Sequence, residues 1–511
     1  MSRAFPKSKT RKEYIMKVRI LSLILAMLMC TAILVSCKSS SDSAETTGKQ
    51  TEGVTVDDPE ITKVNDYVED LAMANKLDGE TFVYVGGSQQ AEFDEETGNI
   101  ENDALYKRQR DLEDMLGIDW VTGTVQEDAN STTKHAVIDS VKRSVMANTK
   151  DYDLVAGTLL VVGQPLFNGQ CLEDVSQFST LNLDAEWWPA TLRDTHSLAG
   201  KLYFLTGPIM TSYYSDGGCI LFNKAVAEDY GIEDPYAYVN DGTWTFDKMV
   251  EVASAIPVNP DGAGAYRYGD PSAFSILYGL DYKITKFNDE GVPYVDSSLP
   301  QELSDIADKV SVIMGDNTTS AHTRMFPTIE SVEEKYGKGF EDLFADGSIF
   351  FYFGTTGTAA ALREKDVEFG VVPVPKADNA QKDYRSYADA WASLFCYVPV
   401  CTRNIATTDV VTEAMAALSL KHIKPAYYDK ILKGRSTHDT DSREMIDIIM
   451  KTKIYDIVDI YSLGDINRSG PFVSAIEKAV VYDPSSFATD YSIYSKMGNN
   501  QIKKIMAHIS K

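Results

Sequence analysis

The amino-acid sequence predicts an α/β body, built on mixed or parallel sheets, behind a short hydrophobic leader. Segments with the periodicity of amphipathic helices alternate along the chain with short apolar runs that end at glycines, the pattern of strands packed under helices. The 511 residues are 44% hydrophobic, which is enough for more than one compact unit. No sequence period recurs, which argues against a solenoid or a propeller.

The first half of the body follows this alternation in order. Gly117 follows an amphipathic segment and is the residue type that commonly ends a helix in the left-handed conformation. The run at residues 151–157 is apolar and leads into a glycine, as expected of a buried strand. The predicted elements are helices at 60–76, 104–116 and 135–147, and strands at 81–85, 151–157 and 200–205.

The second half repeats the alternation with different residues. An apolar run leads through Asn223 into a helix that Gly231 ends. Thr243 or Thr245 is placed to cap the next helix, because a threonine hydroxyl accepts a hydrogen bond from the first free amides. The predicted strands are 219–222, 348–353 and 367–375, and the predicted helices are 224–230, 248–255, 340–344, 410–421 and 442–451.

The first forty residues have the organisation of an export signal. Basic residues precede an apolar run over residues 20–35, which is shorter than the roughly 20 residues of a membrane-spanning helix. Residues 34–37, Leu-Val-Ser-Cys, resemble the bacterial lipobox, and this implies a signal peptide over 1–36 and a lipid on Cys37. Residues 37–58 are rich in Ser, Thr, Gly and Glu, which predicts a flexible tether.

Charge and cysteine content argue against several classes of protein. The 75 acidic and 49 basic residues give a formal net charge of -26, which repels phosphate backbones, so no nucleic-acid partner is expected. Six scattered histidines and the lack of a Cys-x-x-Cys pair give no basis for a metal ion or a cofactor. Cys396 and Cys401 leave two alternatives open: a disulfide across a local turn, or two buried thiols.

Several short motifs follow one another through the body of the chain. They are Asp-Tyr-Asp-Leu-Val at 151–155, Glu-Trp-Trp at 186–188 with Gly-Lys-Leu-Tyr at 200–203, Leu-Phe-Asn-Lys at 221–224 with Gly-Thr-Trp-Thr-Phe-Asp at 242–247, Phe-Ala-Asp-Gly at 344–347 with Phe-Gly-Val-Val-Pro-Val-Pro-Lys at 369–376, and Asp-Ser-Arg-Glu-Met at 441–445. In this order they resemble the extracellular solute-binding proteins that serve carbohydrate ABC importers, from about residue 78 onward. The segment 259–264 departs from the calcium-like loop common in that family, because it lacks most of the oxygen ligands, and is expected to be a plain turn. Residues 281–335 match no feature of the family.

The resemblance implies a fold, a set of boundaries and a set of partners. The fold is two-lobed and periplasmic-binding-protein-like (class II), with mixed sheets flanked by helices, a hinge of crossing segments and ligand bound between the lobes. Residues 59–207 and 389–455 are expected in the first lobe, and residues 208–388 and 456–511 in the second. The implied partners of this monomer are a small-molecule sugar and the permease subunits of an ABC importer in the membrane. Because the chain has no P-loop motif, ATP hydrolysis is expected of another chain.

Candidate ligand-binding residues follow from the chemistry of sugars. Sugars present apolar CH faces and hydroxyl groups, which aromatic rings and polar side chains bind. In the cleft that the resemblance implies, such residues are expected at strand ends and on crossing segments. The candidates are Asp389 and Trp391, Tyr213, Tyr214 and Asp216, Thr355 and Thr356, Thr158, and Trp188, whose alternative role is packing within a lobe.

Two other classes of function stay open. A membrane-anchored, glycan-degrading enzyme needs two positioned carboxylates roughly 5–10 Å apart, and no motif in this sequence isolates such a pair. A binding protein for peptides or other small molecules would have a similar sequence pattern. A metal-uptake protein is disfavoured because the histidines show no grouping.

Overall fold

The computed structural model describes residues 59–86, 95–123, 133–259, 264–322, 332–388, 393–432, 440–464 and 470–510. Helices alternate with short strands, and the two larger sheets are mixed, which confirms the predicted α/β class. The predicted signal peptide, Cys37 and the tether lie outside the described residues, as do the candidate ligand residues Asp389 and Trp391.

Strands and helices are numbered here in chain order. The strands are β1 (Thr81–Gly86), β2 (Asp119–Thr122), β3 (Leu154–Thr158), β4 (Gly218–Asn223), β5 (Tyr266–Gly269), β6 (Lys286–Phe287), β7 (Pro293–Tyr294), β8 (Ser320–Ala321), β9 (Ile349–Thr355), β10 (Phe369–Pro373), β11 (Ser386–Tyr387), β12 (Leu394–Tyr397) and β13 (Lys453–Ile454). The α-helices are α1 (Pro59–Asn75), α2 (Ile100–Leu116), α3 (Thr133–Ala147), α4 (Gln164–Asn168), α5 (Leu192–His196), α6 (Lys224–Tyr230), α7 (Tyr236–Asn240), α8 (Phe246–Ala253), α9 (Ala273–Gly279), α10 (Gln301–Met314), α11 (Val332–Tyr336), α12 (Phe340–Ala345), α13 (Thr356–Leu362), α14 (Ile405–Leu432), α15 (Thr440–Lys451), α16 (Ile457–Ile460), α17 (Pro471–Val481) and α18 (Phe487–Ile509). A π-helix (Leu159–Gly163) joins β3 to α4, and single 3₁₀ turns lie at Val175–Gln177, Thr211–Tyr214 and Pro484–Ser486.

The first lobe is built on a four-stranded sheet in the order β12-β3-β1-β2. Strand β1 runs parallel to β2 and β3, whereas β12 returns antiparallel to β3. Helices α1 and α2 pack against the long helix α14. Their apolar faces form one core with the sheet, in which Phe82, Leu112 and Val411 are fully buried.

The second lobe is built on a five-stranded sheet in the order β10-β4-β9-β5-β8. Strand β4 is antiparallel to both β10 and β9, and β5 is parallel to β9 and β8. Trp244 is fully buried beside this sheet and donates its indole N–H to the carbonyl of Pro373 over 2.8 Å. Helix α15 packs against β10, and the predicted boundaries between the lobes stay predictions.

Helix termini agree with the sequence-based expectations. Gly117 ends α2 in the left-handed conformation with φ 68°, and its amide donates to Glu113. Gly231 ends α6 in the same way with φ 64°. Of the two candidate caps for α8, Thr245 is the one whose hydroxyl accepts the amide of Lys248. These termini were predictable because capping depends on residues within one turn.

The predicted strand at residues 200–205 is wrong. Leu202 and Phe204 are buried, as the apolar pattern implied, but this stretch pairs with no strand over its length. Its backbone instead makes single contacts: the carbonyl of Leu202 accepts the amide of Val175, and Leu205 exchanges hydrogen bonds with Cys396. The apolar pattern therefore predicted the burial of this stretch correctly. It did not predict the backbone hydrogen bonds, which are made with a loop and with β12.

The structure also describes two features that the sequence left open, the segment 281–335 and the state of the cysteines. Within residues 281–335, the β6–β7 hairpin is followed by helix α10 and strand β8. Of the alternatives for the cysteines, the structure has buried free thiols at Cys171, Cys219, Cys396 and Cys401.

The segment from β13 through α16 contacts both lobes. In the first lobe, the side-chain amide of Gln164 donates to the carbonyls of Asp459 and Ile460 over 3.2 and 3.0 Å. In the second lobe, the carboxylate of Asp456 accepts the amide of Ile284 over 2.7 Å. The hydroxyl of Tyr278 donates to Asp459 over 2.6 Å. This segment therefore contacts residues of both predicted lobes.

Candidate functional site

A cavity of about 610 Å³ lies between the two lobes. The first lobe contributes Glu101 on α2 and Tyr427 on α14. The second lobe contributes helix α13 with Thr356 and Gly357, and the segment between the 3₁₀ turn Thr211–Tyr214 and β4 contributes Ser215. The remaining lining residues are Glu341, Ala360, Ala361, Glu364 and Lys365. A volume of this size is typical of small-molecule sites, which span roughly 300–1,000 Å³.

The aromatic side of the cavity is a pair of stacked tyrosines. The ring of Tyr427 lies on that of Tyr214, with centroids 5.4 Å apart and planes at 26°. The Tyr427 hydroxyl is bonded to Glu101 and Thr211, and burial, together with the nearby charge of Glu101, raises its pKa well above the ordinary value. Tyr213 meets Tyr214 edge-on at 5.5 Å, so both predicted tyrosines lie directly behind the lining.

The polar side of the cavity is the N-terminus of α13. Thr355 caps this helix by a reciprocal pair of bonds with Thr358. The hydroxyl of Thr356 donates to the carbonyl of Tyr214 over 2.7 Å, and the amide of Gly357 donates to the carbonyl of Ser215 over 2.8 Å. A Cβ atom at residue 357 would lie 2.8 Å from that carbonyl oxygen, so glycine permits the close approach.

A buried ion pair involves Asp216, the residue that follows Ser215 of the lining. Lys453 contacts the carboxylate of Asp216, whose other oxygen accepts the hydroxyl of Ser393. All three residues are buried. Burial raises the pKa of Asp216 and lowers that of Lys453, while each charge opposes the shift of the other. The predicted ligand residue Asp216 is therefore held by a cation and does not line the cavity.

Two other candidates lie in the first lobe, away from the lining. Trp188 is packed in the core, and its indole N–H donates to Glu413 over 2.8 Å. The neighbouring Trp187 donates to the other oxygen of the same carboxylate over 2.8 Å. Thr158 ends β3 and pairs with Leu394 of β12, next to Ser393. The structure thus brings Tyr213, Tyr214, Asp216 and Thr356 together, whereas Trp188 is part of the packing of the lobe.

Sequence reasoning missed the lining residues Glu101 and Tyr427. It also gave no role to Asp270, a carboxylate that is not among the lining residues. Asp270 follows the carboxyl end of β5 and has a left-handed backbone, with φ 46°. Asp270 is exposed to solvent, and desolvation by the neighbouring protein atoms raises its pKa to about 6. Since β5 and β9 are parallel, Asp270 lies at the same sheet edge as Thr356. The sequence shows an aspartate directly after a glycine that ends a strand. Other loops of the chain also have an aspartate after a glycine, so this pattern does not single out Asp270.

Two features are absent from the described part of the chain. None of the helices described is both long and apolar enough to cross a membrane. Within the same ranges, no three His, Cys, Asp or Glu side chains are grouped so that they could hold a metal ion.

Comparison with known proteins gives a likeness of fold. No protein-family model matches the chain, and no curated protein matches it. The sugar-binding protein MalE of Xanthomonas citri superposes with a TM-score of 0.55 at 12% identity, over 84% of this chain and 99% of that one. A sugar transporter of Rhizobium etli in an open conformation superposes with a TM-score of 0.53 at 12% identity, over 81% and 99%. The chain therefore has the predicted two-lobed, periplasmic-binding-protein-like fold.

Proposed function

We propose that this protein is an extracytoplasmic solute-binding protein, anchored by a lipid on Cys37, which captures a mono- or oligosaccharide between its lobes. The complex then docks on the permease subunits of an ABC importer, which take up the sugar. The observation that carries the proposal is the cavity between the lobes, where Tyr427 and Glu101 face the N-terminus of α13. The names of the two proteins with a similar fold support a sugar as the ligand class.

The lining offers contacts for both the apolar CH face and the hydroxyl groups of a carbohydrate. A tyrosine ring covers the CH face of a pyranose, while carboxylate oxygens accept hydrogen bonds from its hydroxyl groups. Glu101, Glu341 and Glu364 supply such oxygens around the cavity. The predicted residues Asp389 and Trp391 add one acceptor and one aromatic platform to the proposal.

The anchor gives the capturing body its role in transport. A lipid on Cys37 and a tether over residues 37–58 keep the folded body close to the membrane. A tethered partner meets its docking site at a raised effective concentration, which favours transfer even when docking is weak. We propose that the body acts as a monomer and that the saccharide leaves it chemically unchanged.

Binding of a saccharide is expected to raise the melting temperature of the purified protein, because a ligand that binds only the folded state stabilises it. At a ligand concentration 100 times Kd the gain is about 2.7 kcal/mol. A thermal-shift screen over neutral mono- and oligosaccharides measures this, with di- and tripeptides as the comparison set. A shift with peptides alone would replace the sugar by a peptide in the proposal. Release of shorter sugars during incubation would instead indicate a glycan-degrading enzyme.

Neutral saccharides are expected to bind at least tenfold more tightly than acidic ones of the same length. Three of the lining residues that the structure describes are carboxylates, and the one lysine in the same set, Lys365, is paired with Asp342 at 2.5 Å. A uronate would therefore be placed among like charges, with no unpaired cation among these described lining residues. Calorimetric titration of a neutral oligosaccharide and of the matching oligouronate, at low and at high salt, tests this. Equal affinity at low salt would contradict it.

A further inference from the structure

The buried ion pair joins three segments that are far apart in sequence. Lys453 comes from β13, Asp216 from the segment before β4, and Ser393 from the residue before β12. The ammonium group of Lys453 also donates to the carbonyl of Tyr213 over 2.6 Å and lies 3.9 Å from the centre of that ring. Neighbouring backbone contacts continue the link, since the amide of Leu394 donates to the hydroxyl of Ser212 over 2.8 Å.

The same short segment forms the wall of the cavity. The carbonyls of Tyr214, Ser215 and Gly217 accept the first three donors of α13. These donors are the hydroxyl of Thr356 at 2.7 Å, the amide of Gly357 at 2.8 Å and the amide of Thr356 at 2.9 Å. Residues 213–217 therefore hold the ion pair on one side and the N-terminus of α13 on the other.

A buried pair of this kind holds its partners firmly. Removing one member leaves the other charge buried without compensation, whereas neutral replacement of both members is often tolerated. The groups around Lys453 are a carboxylate, a carbonyl and an aromatic ring, all of which favour a cation. Displacement of residues 213–217 would break these contacts together.

We infer that the Lys453–Asp216 pair is a positioning element for ligand binding: it fixes the wall formed by Ser215, Thr356 and Gly357, so ligand affinity depends on two side chains that do not line the cavity. The dependence of ligand affinity on this pair rests on the proposed function. The fixing of the wall rests on the contacts alone and is tested without ligand.

The test is a double-mutant cycle on the full chain with Asp216→Asn, Lys453→Met and both together. Each single variant is expected to lose stability, and the double variant is expected to recover much of it, because no charge is left unpaired. The amides of Thr356 and Gly357 are nevertheless expected to exchange hydrogen at least tenfold faster in the double variant than in the unaltered protein. A purely structural pair would give exchange that follows stability, and exchange at the unaltered rate in the double variant would overturn the inference.

Two controls complete the design. Ser393→Ala removes one hydrogen bond to Asp216 without removing a charge. It is expected to lower the melting temperature less than either charged single variant does, and to speed the exchange of these amides about threefold beyond what that loss of stability accounts for. This variant decides the question if the double variant does not fold. The partly exposed pair Lys286–Asp296 of the second lobe, replaced by Met and Asn, is expected to leave the exchange unchanged. Maltotriose serves as the saccharide probe, and its Kd is expected to rise at least tenfold in the double variant. If maltotriose does not bind the unaltered protein, that result counts against the proposed ligand class, while the exchange rates still decide this inference.

Discussion

Replacing Glu413 with alanine is expected to lower the free energy of unfolding by about 3–5 kcal/mol. This carboxylate is fully buried on α14. It accepts the indole N–H groups of Trp187 and Trp188 over 2.8 Å each and the hydroxyl of Tyr67 over 2.9 Å. Alanine leaves two buried indole donors without their acceptor and opens a cavity beside them. Chemical denaturation followed by tryptophan fluorescence measures the loss.

Two further substitutions test whether the loss comes from the missing acceptor or from any change of a carboxylate in this region. Glu413→Gln keeps the volume but offers one acceptor oxygen and an amide group that faces a donor, so a loss of about 1–2 kcal/mol is expected. Glu186→Ala removes a carboxylate next to Trp187 that is exposed and paired with Lys63 at 2.5 Å. A surface pair of this kind contributes about 0–1 kcal/mol. A loss below about 1 kcal/mol for Glu413→Ala would show that the indoles find other partners.

Local sequence signals predicted the helices and strands of this fold better than they predicted which distant residues contact each other. Gly117 and Thr245 could be assigned from the sequence because a helix terminus is decided within one turn. The tryptophans at 187 and 188 were visible as a pair, but their acceptor Glu413 lies more than 220 residues away along the chain. Nothing in the local sequence distinguishes that glutamate from the exposed ones.

The same limit applies to the cavity. Strand-end reasoning selected Tyr214 and Thr356, which the structure joins by a hydrogen bond. Glu101 and Tyr427 were missed because they lie on helices, where the chain offers many equivalent residues, including 28 tyrosines in all. Lys453 reads as an ordinary charged residue after a helix, and only tertiary contacts reveal that it is buried. Roles created by long-range packing are therefore the part that sequence reasoning could not reach.

Replacing Glu477 with glutamine is expected to raise the free energy of unfolding at pH 8 by about 2–3 kcal/mol and to leave it unchanged near pH 4. Burial raises the pKa of Glu477 from 4.5 to about 7, with the nearby charge of Asp270 as a further cause. An acid whose pKa is higher in the folded state holds its proton more tightly when folded. Its contribution to stability is therefore complete below about pH 4.5 and is lost as the pH rises to about 7.

Glutamine mimics the protonated acid, since its amide oxygen still accepts the backbone N–H of Ala273. The variant therefore has the low-pH contact at every pH, and its stability curve between pH 4.5 and 7 is expected to be flatter than that of the unaltered protein. Melting curves recorded across this range at constant ionic strength provide the comparison. The exposed residue Glu444 on α15, replaced by glutamine, is the matched control and is expected to leave the curve unchanged. Parallel curves for Glu477→Gln and the unaltered protein would mean that this carboxyl titrates alike in the folded and unfolded states.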